Sequence, residues 1–227
     1  MYKVHISVDN NHLKQMMYQN EQTVRQLVRE ERLNEQDPLI YRLNNDYCYP
    51  NDVIKSDSRL DCVTNNSLEG HRIYQDTCIF VMMKACYNLV GTKSRLIVEH
   101  SIGDGVFCEI FGDVSCDDKL VKSLKKEMKR VIKSDVDIEK QIISLPEAEK
   151  IFQKLNRSDI IRNMEYREKR DITIFKCGPY RDYYIRQLAA STGCISDFDG
   201  IPYDTGFILR FPEQGKLELT NHFHMPL

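Results

Sequence analysis

SLEGHRIYQDTCIFVMMKACYNLVGTKSRLIVEHSIGDGVFCEIF, residues 67–111, changes its hydrophobic period partway along. Ile73, Thr77, Phe80, Val81, Lys84, Ala85, Asn88 and Leu89 recur at helical spacing, which predicts the longest helix of the chain with one mainly apolar face. Gly91 is placed to end it. Beyond it, residues 96–100 and 106–111 read as strands flanking Ser-Ile-Gly-Asp-Gly, whose two glycines permit the positive φ angles of a tight connection. An antiparallel pair beside a long amphipathic helix predicts an α+β fold, because each apolar face needs the other for burial.

On the N-terminal side, Val4, Ile6 and Val8 alternate with His5, Ser7 and Asp9, the period of a half-buried strand. A helix follows the turn at Gln19-Asn20, with Val24, Leu27 and Val28 on one face. Residues 39–43 and 60–63 are short strands separated by the turn-rich segment 44–58. This β–β–α–β–β order predicts a small β-grasp unit over residues 1–65.

On the C-terminal side, residues 117–134 set Leu120, Leu124, Met128 and Val131 on one helix face and Lys122, Lys126, Lys129 and Lys133 on another. Lys119, Lys125 and Arg130 add to that basic side, which is either solvated surface or a phosphate-backbone contact. A further helix starts at Ser144-Leu-Pro-Glu147, where Ser144 and Glu147 suit a capping box and Pro146 a first-turn position. Ala148, Ile151, Phe152 and Leu155 form its stripe, and residues 172–177 and 207–211 complete the strands. Residues 66–212 are thus expected to form an α+β sandwich, and 213–227 a tail or linker.

The 227 residues carry a formal net charge of −2, so no whole-chain basic field holds nucleic acid and any RNA contact must be local. The N-terminus lacks a charged and apolar leader pattern, and no run approaches the ~18 apolar residues of a membrane span. Eight cysteines without a C-x-x-C pair, mostly in apolar stretches, point to buried free thiols in a reducing cytoplasm. Six histidines are scattered, and only His222 and His224 are close neighbours, so no metal site is expected beyond an adventitious one on that tail.

The first unit resembles a TGS domain, through residues 23–28 of the helix and Arg42-Leu-Asn-Asn-Asp46 followed by 54–63. The rest is more specific. Glu69-Gly-His-Arg-Ile-Tyr74, Val98-Glu-His-Ser-Ile-Gly-Asp-Gly-Val-Phe-Cys-Glu-Ile110, Phe175-Lys-Cys-Gly178, Asp182-Tyr-Tyr184, Ser191-Thr-Gly193 and Gly206-Phe-Ile-Leu-Arg-Phe-Pro212 resemble the N-terminal half of bacterial nucleoside (uridine) kinases. In that family this half is related to the editing domain of threonyl-tRNA synthetase, and a P-loop kinase domain follows. The resemblance implies tRNA or other RNA, or that C-terminal kinase domain, as partner, with ATP and Mg needed only by the kinase domain and no cofactor in this chain. No G-x-x-x-x-G-K-[ST] is present, and Gly91-Thr-Lys-Ser94 lacks the upstream glycine and the Gly-Lys pair. The chain is therefore expected to stop before a kinase domain, either cut there or naturally truncated.

The resemblance also implies a site and its loss. The synthetase H-x-x-x-H pair falls on Asp76 and Phe80, and its second cysteine and histidine on Tyr184 and Leu188, so only Asp182 keeps its identity. Losing groups that place a water and polarise a carbonyl argues against ester hydrolysis. What remains is a possible ligand pocket of Glu99, His100, Cys108, Lys176, Asp182 and Tyr184 at the hairpin. The tyrosines of 180–184 read either as sheet packing or as stacking platforms for a base. Two functions are open at this stage. One is a non-catalytic module binding RNA, a nucleoside or a partner domain, with RNA on Lys122, Lys126, Lys129 and Lys133. The other is a residual hydrolase of an aminoacyl-tRNA-like ester using His100, Cys177 and Asp182, which requires those three side chains to converge.

Overall fold

Asp9 and Asn10 both take left-handed backbone angles, φ 48° and 66°, and so turn the first strand, β1 (Tyr2–Val8), back into β2 (Asn11–Tyr18). The computed structural model describes residues 1–164 and 170–220. Val4 and Ile6 face the core as the alternation predicts, Val8 is only half-buried at the end of the strand, and Tyr2 is buried as well. Ser7 is buried too, against the alternation, because its hydroxyl donates to Asp61 Oδ1 at 2.5 Å.

A two-residue strand, β3 (Gln22–Thr23), leads into α1 (Val24–Glu30). Thr23 caps this helix: its Oγ1 accepts from Gln26 N while Gln26 Oε1 accepts from Thr23 N, a capping box of ~1 kcal/mol. Val24, Leu27 and Val28 are buried as expected, each contributing ~1.5–3 kcal/mol of apolar transfer. Four more strands follow, β4 (Ile40–Leu43), β5 (Asp46–Cys48), β6 (Val53–Ile54) and β7 (Ser58–Val63). The resulting five-stranded sheet has the order β2-β1-β7-β4-β5, with β1 and β7 parallel, while β3 and β6 form a separate pair. Parallel pairing requires a crossover, and the segment carrying α1 supplies it.

The long helix, α2 (Leu68–Val90), is capped by Ser67, whose Oγ accepts from Gly70 N at 3.1 Å. Gly70 has no room for a side chain, because a Cβ there would overlap the Thr64 carbonyl oxygen. Ile73, Thr77, Phe80, Val81, Lys84 and Ala85 are buried as their spacing predicts, but Asn88 and Leu89 are exposed. The last turn has run past the layer it packs on. Buried Lys84 donates to the Cys177 carbonyl oxygen at 3.0 Å.

The predicted hairpin is β8 (Ser94–Ile102) and β9 (Gly105–Gly112), with a bulge between Val98 and His100. Next come α3 (Asp118–Lys133), β10 (Glu139–Ser144), α4 (Leu145–Lys154) and α5 (Ser158–Met164). The chain closes with β11 (Asp171–Cys177), β12 (Tyr180–Tyr183), β13 (Asp199–Tyr203) and β14 (Gly206–Arg210). An antiparallel sheet, β13-β14-β9-β8, and a second one, β10-β11-β12, are thereby formed.

Helix α3 buries Val121, Leu124, Met128 and Val131, so Val121 takes the place expected for half-buried Leu120. Ser144 does start α4 and Pro146 lies in its first turn, but the expected side-chain capping bond does not form.

One apolar core joins α2, α3 and the four-stranded sheet, and it includes Leu39, Ile40 and Val63 of the N-terminal sheet. Ala190 N donates to Leu39 O at 2.7 Å across the same junction. Residues 213–220 fold back on it, with Gly215 N donating to Asn65 O at 2.9 Å and Leu219 N to Asp197 Oδ2 at 2.9 Å. The eight cysteines are free, and among the described residues no helix is long and apolar enough to cross a membrane. His222 and His224, the pair singled out for an adventitious metal, lie outside the described residues.

Candidate functional site

Helical periodicity puts His71, Gln75, Asp76 and Ile79 on the flank of α2 that faces the β8–β9 turn, and between them lies a cleft of about 370 Å³. Asp104 in the turn, Arg186 after β12, and Phe211 and Pro212 after β14 complete its walls. The Asp76–Arg186 pair and a histidine relay occupy it, Glu213 also lines it, and buried Arg210 reaches Asp104 from outside the lining.

Arg186 Nε donates to Asp76 Oδ2 at 2.5 Å and its Nη2 to Oδ1 at 2.7 Å, a planar two-point grip on a buried carboxylate. Arg210, itself buried on β14, donates to Asp104 Oδ2 at 2.7 Å and to Thr220 O at 3.1 Å. Gln75 Nε2 donates to His71 Nε2 at 3.1 Å, which places the ring proton on Nδ1, where it donates to Asn65 Oδ1 at 3.0 Å. Burial lowers the His71 pKa, so this ring stays neutral at physiological pH. The carboxylates lining the cleft are each paired, Asp76 with Arg186 in the lining, and Asp104 and Glu213 with Arg210 and Lys216 outside it. The arrangement suits a ligand held by hydrogen bonds more than one held by net charge.

The four positions that the synthetase resemblance marks sit in and behind this cleft. Asp76 is held by Arg186. Phe80 is fully buried and meets Tyr184 edge-on at 5.8 Å and Tyr180 at 5.4 Å, and Leu188 is buried in the same cluster. Aromatic and aliphatic packing has filled the space that a ligating pair would require.

The side chains proposed from sequence fall into two groups. Glu99 and His100 are exposed on β8, with the His100 ring 5.4 Å from Phe107, whereas Cys108 on β9 points inward and its thiol donates weakly to Met82 Sδ at 3.9 Å. Lys176, Cys177, Asp182 and Tyr184 belong to the three-stranded sheet or its end. Lys176 pairs with Glu139 at 3.2 Å, and Cys177 is buried beside Phe80 and Phe175. Asp182 accepts from Tyr180 Oη at 2.7 Å, Arg157 Nη1 at 3.1 Å and Tyr183 N at 2.8 Å. Among the described residues no hydrogen bond or ion pair joins His100 to Cys177 or to Asp182. Burial raises both thiols, that of Cys108 to about 12, so neither is a thiolate at neutral pH.

On α3, Lys122, Lys126, Lys129 and Lys133 are all exposed and form no ion pair among the described residues. Lys125 instead pairs with Asp199, and Arg130 with Glu127 at 2.6 Å. The four unpaired lysines run down one side of the helix. No group of three or more His, Cys, Asp or Glu side chains that could hold a metal occurs among the described residues.

Sequence reading missed His71, Arg157 and Arg186 as site residues. His71, Asp104 and Arg210 lie inside three of the motifs that carried the resemblance, which is the one signal that could have marked them.

The chain is thus a mixed α+β protein of several sheets with a polar cleft at its long helix. No family model matches it. It is 30% identical over 148 residues to threonine–tRNA ligase 2 of Bacillus subtilis, covering 64% of this chain and 23% of that protein. It is 23% identical over 158 residues to the threonine–tRNA ligase of Syntrophotalea carbinolica, covering 67% and 24%, and 26% identical over 149 residues to that of Thermotoga petrophila, covering 64% and 23%. The aligned part spans about a quarter of the length of these relatives.

Proposed function

We propose that this chain is a tRNA-directed module of the threonyl-tRNA-synthetase editing type in which the hydrolytic groups have given way to a binding cleft. In this reading residues 1–65 are a TGS-like β-grasp domain and residues 66–212 the editing-like domain. The Asp76–Arg186 grip carries it: a carboxylate saturated by a guanidinium stands where the family's first helix histidine would, and it cannot activate a water while so held. Similarity to threonine–tRNA ligases over about two thirds of the chain supports the tRNA direction. The kinase parent rests on the sequence resemblance alone.

Contact with the RNA backbone runs through Lys122, Lys126, Lys129 and Lys133, the exposed and unpaired stripe of α3. Threonine tRNA titrated against the chain should bind, with log affinity falling against log salt by ~0.7–0.9 per phosphate contacted. Changing all four lysines to glutamate should abolish that binding. Unchanged affinity in the quadruple variant would remove the RNA assignment from this helix. In the same tubes, seryl-tRNA should decay no faster than in buffer, and chain-proportional deacylation would favour the hydrolase instead.

A further inference from the structure

A second cavity, of about 330 Å³, lies at the other end of α2, where the helix C-terminus, the start of β8, the α4–α5 junction and the β11–β12 turn meet. Ile79 of the cleft and Met83 are four positions apart, so its near wall begins roughly 6 Å along the helix from the cleft described above. Lys93, Arg95, Arg157 and Arg181 line it, and among the described residues no carboxylate does. Asp159 and Asp182 stand behind this wall and pair with Arg157, and Asp159 also lies 3.6 Å from Arg95. Two carboxylates against four cations leave an excess of positive charge at the opening. Lys93 forms no ion pair among the described residues, and Arg181 makes only a 3.3 Å bond to the Pro179 carbonyl.

The remaining walls are of two kinds. Half-buried Tyr87 presents its ring, backed by buried Tyr180 at 5.5 Å and 44°, above an apolar floor of Met83, Cys86, Leu96 and Leu155. Thr92, Asn156 and Ser158 supply neutral polar groups at the rim, and the Ser94 hydroxyl in the same wall has no hydrogen-bond partner among the described residues. Gly91-Thr-Lys-Ser94, which is no phosphate loop by its sequence, contributes all four of its residues to the opening.

We infer that this cavity binds a nucleotide, its phosphate held by Lys93 and Arg181 beside Arg157 and its base set against Tyr87. The size lies within the range of small-ligand sites. Cations in a fork geometry match phosphate oxygens, and an aromatic face accepts any base without reading its sequence. A free mononucleotide and the 5′-phosphorylated end of an RNA share this chemistry.

The test is a calorimetric titration of the full chain with adenosine 5′-monophosphate, adenosine, inorganic phosphate and a 5′-phosphorylated RNA trinucleotide. The monophosphate should bind more tightly than adenosine or phosphate alone, and the Lys93→Gln/Arg181→Gln variant should weaken it by at least about tenfold. Both side chains reach solvent, and an unchanged circular dichroism melt confirms that the variant folds. Tighter binding of the trinucleotide would identify an RNA end as the source, and equal or weaker binding a free nucleotide. The α3 quadruple lysine variant should bind the monophosphate as the unaltered chain does. Absence of binding, equal binding by the Lys93/Arg181 variant, or loss of binding in the α3 variant would each overturn the assignment.

Discussion

Arg186 holds Asp76 by two hydrogen bonds of 2.5 and 2.7 Å across 110 positions of sequence, and the two ends of the grip differ in exposure. The Asp76 side chain is 6% exposed and that of Arg186 65%. Removing the arginine therefore strands a nearly buried carboxylate, while water still reaches part of the vacated space. Arg186→Met should destabilise the chain by about 1–2 kcal/mol in urea unfolding, the low end for an orphaned buried charge. Adding Asp76→Asn to it should recover part of the loss. No recovery would mean that the arginine acts by packing alone.

Gly70 reverses the usual sign of a helix substitution. Alanine in a helix interior gains ~1 kcal/mol over glycine by propensity. Here a Cβ would overlap the Thr64 carbonyl oxygen, which is backbone and cannot rotate away. Gly70→Ala should lower the urea midpoint despite its better propensity, by a net ~2 kcal/mol or more once overpacking is counted. A midpoint at or above that of the unaltered chain would show that the junction between Thr64 and α2 yields easily.

Asp61 makes stability depend on pH. Burial alone would raise its carboxyl, but Arg42 at 2.6 Å, the Ser7 hydroxyl and the Asn10 amide outweigh it and hold the pKa below the usual value. A group depressed in the folded state contributes stability above its unfolded pKa, near 4, and loses it as pH falls through the folded value. The urea midpoint should thus drop as pH is lowered below about 4, and Asp61→Asn should flatten that part of the profile while lowering stability at pH 7.

Thiol reactivity should follow burial. Cys48, Cys62, Cys78, Cys86, Cys108 and Cys177 are buried, whereas Cys116 and Cys194 are partly exposed. Burial pushes the Cys48 and Cys62 thiols up to about 12 and that of Cys86 to about 11, so almost no thiolate is present at pH 8. A disulfide reagent should titrate at most two thiols per native chain, Cys116 first, and all eight in denaturant. Rapid reaction of Cys177 in the native chain would revive it as a nucleophile.

Local sequence determined the elements whose signals are local. The 3.6-residue spacing of Ile73, Phe80, Val81 and Lys84 specified α2 and Gly103, at φ 56°, the β8–β9 turn, because a helix face and a tight turn each depend on neighbours a few positions away, whereas Gly105 has no positive φ and is required instead by the close approach of the Leu209 carbonyl. The apolar face of α3 was legible for the same reason, apart from the choice of Val121 over Leu120, which depends on how α3 docks on α2 and β13. Tertiary structure alone decided the site. His100, Cys177 and Asp182 share a set of motifs, but His100 stands exposed on one sheet while the other two belong to another, and spacing along the chain carries no information on which sheet a strand joins. Arg186 met Asp76, Arg157 met Asp182 and Lys84 met the Cys177 carbonyl because a buried charge must find a partner wherever the fold brings one. Each of those partners lies far along the chain, beyond the reach of any local period.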